Sequence, residues 1–340
     1  MGDGDDATGE PRTVTAGEVD AWASTQRAGD TTTSGWSGRR RAIVLAAIVL
    51  VAAMAVYLVT QRGELAYFRR LTATVLLLTL LCQFISQLLW NGAMLLPLRM
   101  YMKLGFWELF MVRAGGALVG YGVPMAGNIG VRLAYLRRRG LTYSHFTWAT
   151  VLSNVLALVA AAALALVALG ILSTATGSLS APAAGLTAVV AILASGGLAA
   201  LHFLPRLAGH PRFQGWRWLS GTSGHDASGR TMFAVLALSF GRHVLNFLSF
   251  GLLYQSLLGT PGEFLAGGLV YAITTPIRVV AITPGNLGVN EWVTAAAGKL
   301  LSFDVTTGLI VALVFRAMTF AAQALGALSA ATWFALRGEG

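Results

Sequence analysis

The sequence contains a single cysteine, Cys82, and only 11% of its 340 residues are charged. One cysteine excludes a disulfide framework, and no group of residues has the spacing of a metal site. The sequence also lacks the Gly-x-x-x-x-Gly-Lys-Ser/Thr loop that cradles the phosphates of ATP. We therefore expect no metal, no cofactor and no hydrolysis of ATP by this chain.

Apolar residues dominate what is present. They make up 56% of the chain, and the mean hydropathy is +0.67, which is typical of a polytopic membrane protein. The formal net charge of +10 comes from basic residues at the ends of apolar runs. Because they do not form one soluble face, they indicate membrane topology and not a nucleic-acid partner.

The apolar runs define the predicted spans. Residues 1–38 are rich in Gly, Thr, Asp and Ser and predict a disordered cytoplasmic tail, whereas residues 39–340 predict a single membrane domain. Six runs are long enough to cross a hydrocarbon core of about 30 Å. They lie at about 42–60, 71–96, 147–172, 183–204, 231–258 and 305–336.

Two further apolar regions, 104–140 and 264–302, are interrupted by proline and glycine, so each predicts two short helices. Both interruptions contain nearly the same motif, Gly-Asn-Ile-Gly-Val-Arg at 127–132 and Gly-Asn-Leu-Gly-Val-Asn at 285–290. A helix-breaking polar motif that occurs twice at membrane depth is typical of a transporter built from a duplicated unit.

The distribution of Lys and Arg predicts the orientation in a plasma membrane. Basic segments at 39–41, 99–103, 137–139 and 206–230 are expected in the cytoplasm, as are both termini. The broken regions then become re-entrant hairpins from opposite sides, and the chain becomes an inverted repeat of 42–172 and 183–336. Arg62, Arg69 and Arg70 would lie outside, against the charge rule, so a different parity stays open.

The chemistry of the motif follows from helix ends. Asn128 and Asn286 are good N-cap residues, and the glycines permit close approach, so each motif is expected to begin a half-helix. Free N–H groups at such an end favour an anion such as phosphate or carboxylate, and Arg132 would strengthen the first site. The alternative is a plain Gly-rich turn, but repetition at matching positions favours the functional interpretation.

Ionisable residues inside apolar segments are the next candidates, since a charge at the bilayer centre costs roughly 2.5 to 3.5 kcal/mol even on lenient scales. We expect Glu291 to pair with Arg316 or with Arg278. By contrast, Arg242, His243 and Glu108 are expected to reach the interface. Asn91 and Asn246 are expected to form hydrogen bonds between helices.

The predicted substrate-binding residues are Asn128, Gly130, Arg132, Asn286, Gly288, Glu291, Arg316, Arg278 and Arg113. The predicted structural residues of the motifs are Pro124, Gly127, Pro284 and Gly285. No catalytic residue is predicted, because the scattered histidines form no recognisable acid, base or metal cluster.

The motifs resemble those of the transmembrane region of lysylphosphatidylglycerol synthase, also called the flippase-like domain family, over roughly 42–336. ITPGNLGVNEW at 282–292 and LVFRAMTF at 313–320 carry the resemblance, and PMAGNIGVRLAYLRRRGL at 124–141 is similar to an earlier Gly-rich motif. The matching residues are Pro284, Gly285, Gly288, Glu291, Arg316, Gly127, Gly130 and Arg132. The chain departs from the family at Val131, where many members are acidic, and at the two motif asparagines.

This resemblance implies either translocation of phospholipids or the membrane half of an aminoacyl-phospholipid synthase. The second role needs a large soluble catalytic domain, and few residues follow the last predicted span, so we expect no enzyme activity from this chain. The predicted function is movement of an anionic or aminoacylated phospholipid, or a lipid-linked molecule, between leaflets. Alternatives are transport of a small organic anion and an accessory role beside a lipid-modifying enzyme. A second copy of the chain is a further candidate partner.

Overall fold

A computed structural model describes residues 33–60, 68–122, 126–176, 181–208, 228–279 and 286–337. The described residues form helices and no strand, which confirms the predicted all-α class. The helices are α1 (Thr33–Thr60), α2 (Ala73–Leu98), α3 (Phe106–Gly122), α4 (Ala126–Arg138), α5 (Tyr143–Thr176), α6 (Ala181–Ala208), α7 (Gly229–Leu258), α8 (Glu263–Val279), α9 (Val289–Leu300) and α10 (Val305–Arg337).

Four helices are long and apolar enough to cross a membrane: Ala73–Leu98, Tyr143–Thr174, Gly229–Leu258 and Val305–Leu336. They coincide with four of the predicted spans, so the protein is an integral membrane protein. The other two predicted spans fall on α1 and α6, which contain the shorter apolar segments Ile48–Thr60 and Ala188–Ala199. A total of six full spans therefore stays a prediction.

Helix α1 reaches back into the predicted tail. Helix α1 begins at Thr33, so residues 33–38 are helical, whereas residues 1–32 lie outside the described part of the chain. Adding residues to an existing helix is far less costly than nucleating one. The apolar run that follows Arg41 therefore extends its helix backwards through polar residues that composition alone assigns to a tail.

Each broken region forms two helices, as predicted. Helix α3 packs against α4 in the first region, and α8 packs against α9 in the second. The predicted breaks at Pro124 and at Pro284 with Gly285 lie outside the described residues. That these two helix pairs enter the membrane as re-entrant hairpins stays a prediction.

Helices α2 and α7, the second helices of the two predicted repeats, run antiparallel along each other. Gln83 Nε2 donates to Ser249 Oγ at 3.3 Å, and Ser86 Oγ donates to Asn246 Oδ1 at 3.1 Å. Further along, a Cβ at Gly92 would lie 3.2 Å from Leu238 Cδ1. Residue numbers thus rise on α2 while they fall on α7.

The ends of these two helices are defined in the same way. Thr72 Oγ1 accepts a hydrogen bond from the Val75 N–H at the start of α2, and Ser228 Oγ accepts one from Thr231 at the start of α7. These are N-caps.

Arg70 Nη1 donates to the Leu257 carbonyl at 2.9 Å, where α7 ends. A cation at a helix C-terminus is favourable, so Arg70 has a structural role whichever side of the membrane it occupies.

The last long helix of each half packs on the other half. Helix α5 contacts α7 and α8, and α10 contacts α2 and α3. The largest apolar core lies among α5, α7, α8 and α10, with Phe250, Tyr254, Leu269 and Ile310 completely buried. The two halves therefore pack against each other in one bundle and do not form two separate bundles.

A buried polar network crosses this interface. Asn246 accepts a hydrogen bond from Gln83 at 2.9 Å and donates to the Tyr271 hydroxyl at 2.8 Å, while Thr319 Oγ1 donates to Gln83 Oε1 at 3.0 Å. Asn91 donates to the Phe106 carbonyl at 2.9 Å. The prediction that Asn91 and Asn246 join helices is confirmed.

Candidate functional site

The second motif ends in a tight turn before α9. Asn286 has a φ of 52° and is 6% exposed. Gly288 has φ 79° and ψ −44° and is the residue that precedes the helix, with no side-chain cap. The prediction that Asn286 caps the helix is therefore wrong: its backbone is left-handed, whereas an N-cap residue is extended. Gly288 adopts a backbone conformation that residues with a Cβ avoid.

Glu291 and Arg316 form the ion pair that the sequence predicts. Arg316 Nε lies 2.5 Å from Glu291 Oε1, and their side chains are 16% and 1% exposed. Arg316 Nη2 also donates to the Asn286 carbonyl at 3.0 Å. One guanidinium thus ties the turn of the second motif, the first turn of α9 and the middle of α10 together. The alternative partner, Arg278, lies on α8, but the structure does not describe its side chain.

The second oxygen of this carboxylate is available. Glu291 Oε2 is buried and has no hydrogen-bond partner among the described residues. A buried acceptor left unsatisfied costs about 1–3 kcal/mol or more. This oxygen can accept a hydrogen bond from a donor group of a ligand.

Helix α1 covers the second motif. A Cβ at Gly288 would lie 2.5 Å from Leu50 Cβ, and the Trp292 indole N–H donates to the Leu50 carbonyl at 3.3 Å. The Tyr57 ring meets the Trp292 ring edge-on, with centroids 6.0 Å apart. Sequence reasoning missed this contact, because no spacing in the chain links residues 50 and 288.

The first motif differs locally from the second. Helix α4 begins at Ala126, so Asn128 is already inside the helix and does not cap it. The side chain of Asn128 is outside the described residues, as are Pro124, Pro284 and Gly285. Gly127 and Gly130 lie in the same first turns of α4. The four residues before Gly130 are helical. The two motifs therefore have similar sequences but different backbone conformations, because the turn seen at 286–288 does not occur in the first motif.

Arg113 and Arg132 both reach α2. Each is 7% exposed. Arg113 Nη2 donates to the Gln87 carbonyl at 2.9 Å, and Arg132 Nη1 lies 3.2 Å from Met94 Sδ. The predicted site residues thus fall into two groups, one around Glu291 on α9 and α10 and one along α2.

The interfacial assignment of His243 is corrected, and Arg242 packs on an aromatic ring. His243 is 1% exposed, with Nδ1 2.8 Å from the Tyr271 hydroxyl, and the Arg242 guanidinium lies 4.1 Å from the centre of the Trp90 ring. Both are held by protein groups because α7 is covered by α2 and α8 here. The sequence offered a signal for this burial, because an Arg-His pair lies in the middle of a 30-residue apolar helix. Glu108 accepts from Tyr135 and pairs with the exposed Arg139, so its predicted interfacial position is unchallenged.

Among the described residues, no group of three or more His, Cys, Asp or Glu side chains could hold a metal ion. Cys82 is a free thiol. The chemistry of both groups is therefore that of charge and hydrogen bonding. They can bind anions at the arginines and a cation or a hydrogen-bond donor at Glu291.

No curated protein and no solved structure matches this chain. The family model described as the lysylphosphatidylglycerol synthase TM region matches residues 41–327, a range that contains both motifs, Glu291 and Arg316. The chain belongs to the family of lysylphosphatidylglycerol synthase transmembrane regions.

Proposed function

We propose that this protein moves a lipid with an anionic or aminoacylated headgroup, or a lipid-linked molecule, between the leaflets of the plasma membrane. The family relates the protein to membrane lipids. The observation that carries the proposal is the antiparallel pairing of α2 and α7. These helices occupy matching places in the two halves, and each is followed by a broken helix pair that contains the motif.

Antiparallel equivalent helices are what an inverted repeat requires, because one half must be turned over in the membrane relative to the other. The reciprocal packing of α5 on the second half and of α10 on the first supports the same relationship. In this proposal the two broken pairs enter from opposite sides, both termini are cytoplasmic, and movement of one half against the other exposes the site to each leaflet in turn.

The buried charges would lower the energy barrier for a charged headgroup that crosses the membrane. A bare charged headgroup in hydrocarbon faces a Born cost on the order of tens of kcal/mol. Arg132 from the first motif and the Glu291–Arg316 pair at the second provide opposite charges that would lower this barrier. An aminoacylated phospholipid carries both a phosphate and an amine, so it matches both signs.

The same proposal makes the protein a translocase and not an enzyme. Its partners would be a membrane phospholipid and, for an aminoacylated lipid, a separate enzyme that makes it. A second copy of the chain is compatible with this arrangement.

The test is leaflet exchange of headgroup-labelled phospholipids in liposomes that contain the purified protein. We expect fast exchange with the wild type and its loss in Arg132→Ala and Glu291→Gln. Matched controls are Arg139→Ala, at an exposed surface pair, and Glu263→Gln, at the start of α8, both of which should exchange lipid normally. Wild-type exchange in both site variants would refute the assigned roles. Uptake of a soluble organic anion without lipid exchange would replace the proposed cargo.

A further inference from the structure

Three arginines from three helices converge on one face of α2. Arg113 of α3 contacts Gln87, Arg242 of α7 stacks on Trp90, and Arg132 of α4 contacts Met94. Gln87, Trp90 and Met94 are spaced three and four residues apart, so they form a single stripe on that helix.

The arginines are also within electrostatic range of one another. The three residues of α2 that they contact span seven residues, about 10 Å along the helix axis. An arginine side chain is always charged in proteins, and repulsion between like charges grows as water is excluded. Bringing three such groups together inside a bundle is therefore unfavourable unless an anion accompanies them.

Within the described part of the chain, no carboxylate pairs with two of the three arginines. The salt bridges of the described residues are Arg139–Glu108 and Arg316–Glu291, and neither involves Arg113 or Arg242. Both of these also have a buried Nε–H without a hydrogen-bond partner among the described residues. A buried donor on a charged group has a large cost when it is left unsatisfied.

We propose that Arg113, Arg132 and Arg242 form a binding site for a phosphate group beside the Gln87–Trp90–Met94 stripe of α2. Guanidinium groups match the oxygens of phosphate in geometry as well as in charge. Arg113 and Arg132 are almost fully buried, whereas Trp90 and Arg242 are partly exposed. The ligand therefore enters at the edge formed by Trp90 and Arg242.

The phosphate can belong to a lipid headgroup or be a free ion. Only the lipid origin of the phosphate rests on the proposed function.

The experiment measures binding to the full chain in detergent, from the increase in thermal unfolding temperature with ligand concentration. The probes are phosphatidic acid, diacylglycerol with the same chains, and inorganic phosphate. We expect phosphatidic acid to stabilise the wild type and diacylglycerol to have no comparable effect. Competition by inorganic phosphate would assign the site to the phosphate ion itself, whereas phosphatidic acid binding without competition would assign it to a lipid headgroup.

Arg113→Gln and Arg242→Gln should each weaken binding of phosphatidic acid by about tenfold or more, since each removes a charged hydrogen bond. Arg139→Gln, at the exposed pair with Glu108, is the matched control and should bind normally. Arg242→Lys keeps the charge without the planar fork and should fall between wild type and Arg242→Gln, which remains informative if Arg113→Gln does not fold. Equal stabilisation by diacylglycerol, or unchanged affinity in Arg242→Gln, would overturn the site.

This result is separable from the proposed function. Phosphate binding that depends on the three arginines, without leaflet exchange in liposomes, would retain the site and reject translocation. Leaflet exchange that persists in Arg113→Gln and Arg242→Gln, with no preference for phosphatidic acid, would retain translocation and reject the site.

Discussion

The guanidinium of Arg316 and the carboxylate of Glu291 meet at 2.5 Å in the interior of the helix bundle, and the same guanidinium holds the Asn286 carbonyl. The two residues lie on different helices, α9 and α10. The carboxylate is almost completely buried, and Arg316 is the cation that pairs with it among the described residues. The geometry of the second motif and the charge balance of the site are thus controlled by the same contact.

Arg316→Gln should destabilise the protein by about 3–5 kcal/mol, because it leaves a buried carboxylate without its cation. Combining it with Glu291→Gln should recover part of this loss, since the double variant buries no unpaired charge. Thermal or denaturant unfolding in detergent measures both. Arg139→Gln breaks a surface pair and should cost at most about 1 kcal/mol. Equal losses in the single and double variants would contradict a coupled pair.

Gly288→Ala should displace α1 and destabilise the protein by about 1–3 kcal/mol, the cost of placing a Cβ in a sparsely populated backbone conformation. The new Cβ would also meet Leu50 at 2.5 Å. Adding Leu50→Ala removes the steric clash but leaves the strained backbone, so the double variant should regain only part of the lost stability. Complete recovery would assign the whole effect to the contact with α1. Gly185→Ala, at a glycine with no atom near its Cβ position, is the control.

Asn246→Leu should destabilise the interface of the two halves by about 0.5–2 kcal/mol, the range for hydrogen bonds between membrane helices. It removes the bonds to Gln83, Ser86 and Tyr271. Unfolding in detergent reports the loss. Thr332→Ala is the comparison, because the Thr332 hydroxyl is exposed and bonds only within its own helix. An Asn246→Leu variant as stable as Thr332→Ala would show that the network adds little.

The antiparallel arrangement of α2 and α7 can be tested by disulfide cross-linking in a Cys82→Ser background. Paired substitutions Gly92→Cys with Leu238→Cys, and Gln83→Cys with Ser249→Cys, should cross-link in membranes. The exchanged pairs, Gly92→Cys with Ser249→Cys and Gln83→Cys with Leu238→Cys, are the controls. They separate the cysteines by about 14 Å, for nine residues at 1.5 Å each, so they should not cross-link. The reverse pattern would require parallel helices.

Much of the fold follows from local sequence. Long apolar runs fix the class of the protein, because only a helix satisfies its own backbone hydrogen bonds in lipid. Proline and glycine in the two broken regions make two helices more favourable than one. The Glu291–Arg316 pair could also be predicted, since a carboxylate buried among apolar residues must find one of very few cations.

Other features depend on which helices lie side by side. Most long helices of this chain are apolar on every side, and such a helix has no face that its sequence marks as the contact. The cover of α1 over Gly288 and the meeting of Arg113, Arg132 and Arg242 on α2 therefore come from packing. The hydrogen bond from Arg316 to the Asn286 carbonyl is also a product of packing, because the two residues lie thirty positions apart in the chain. The left-handed backbone of Asn286 is one that asparagine adopts more readily than most residues. Sequence determined which segments form long apolar helices and which charges need partners, whereas the tertiary structure decided which partners they found.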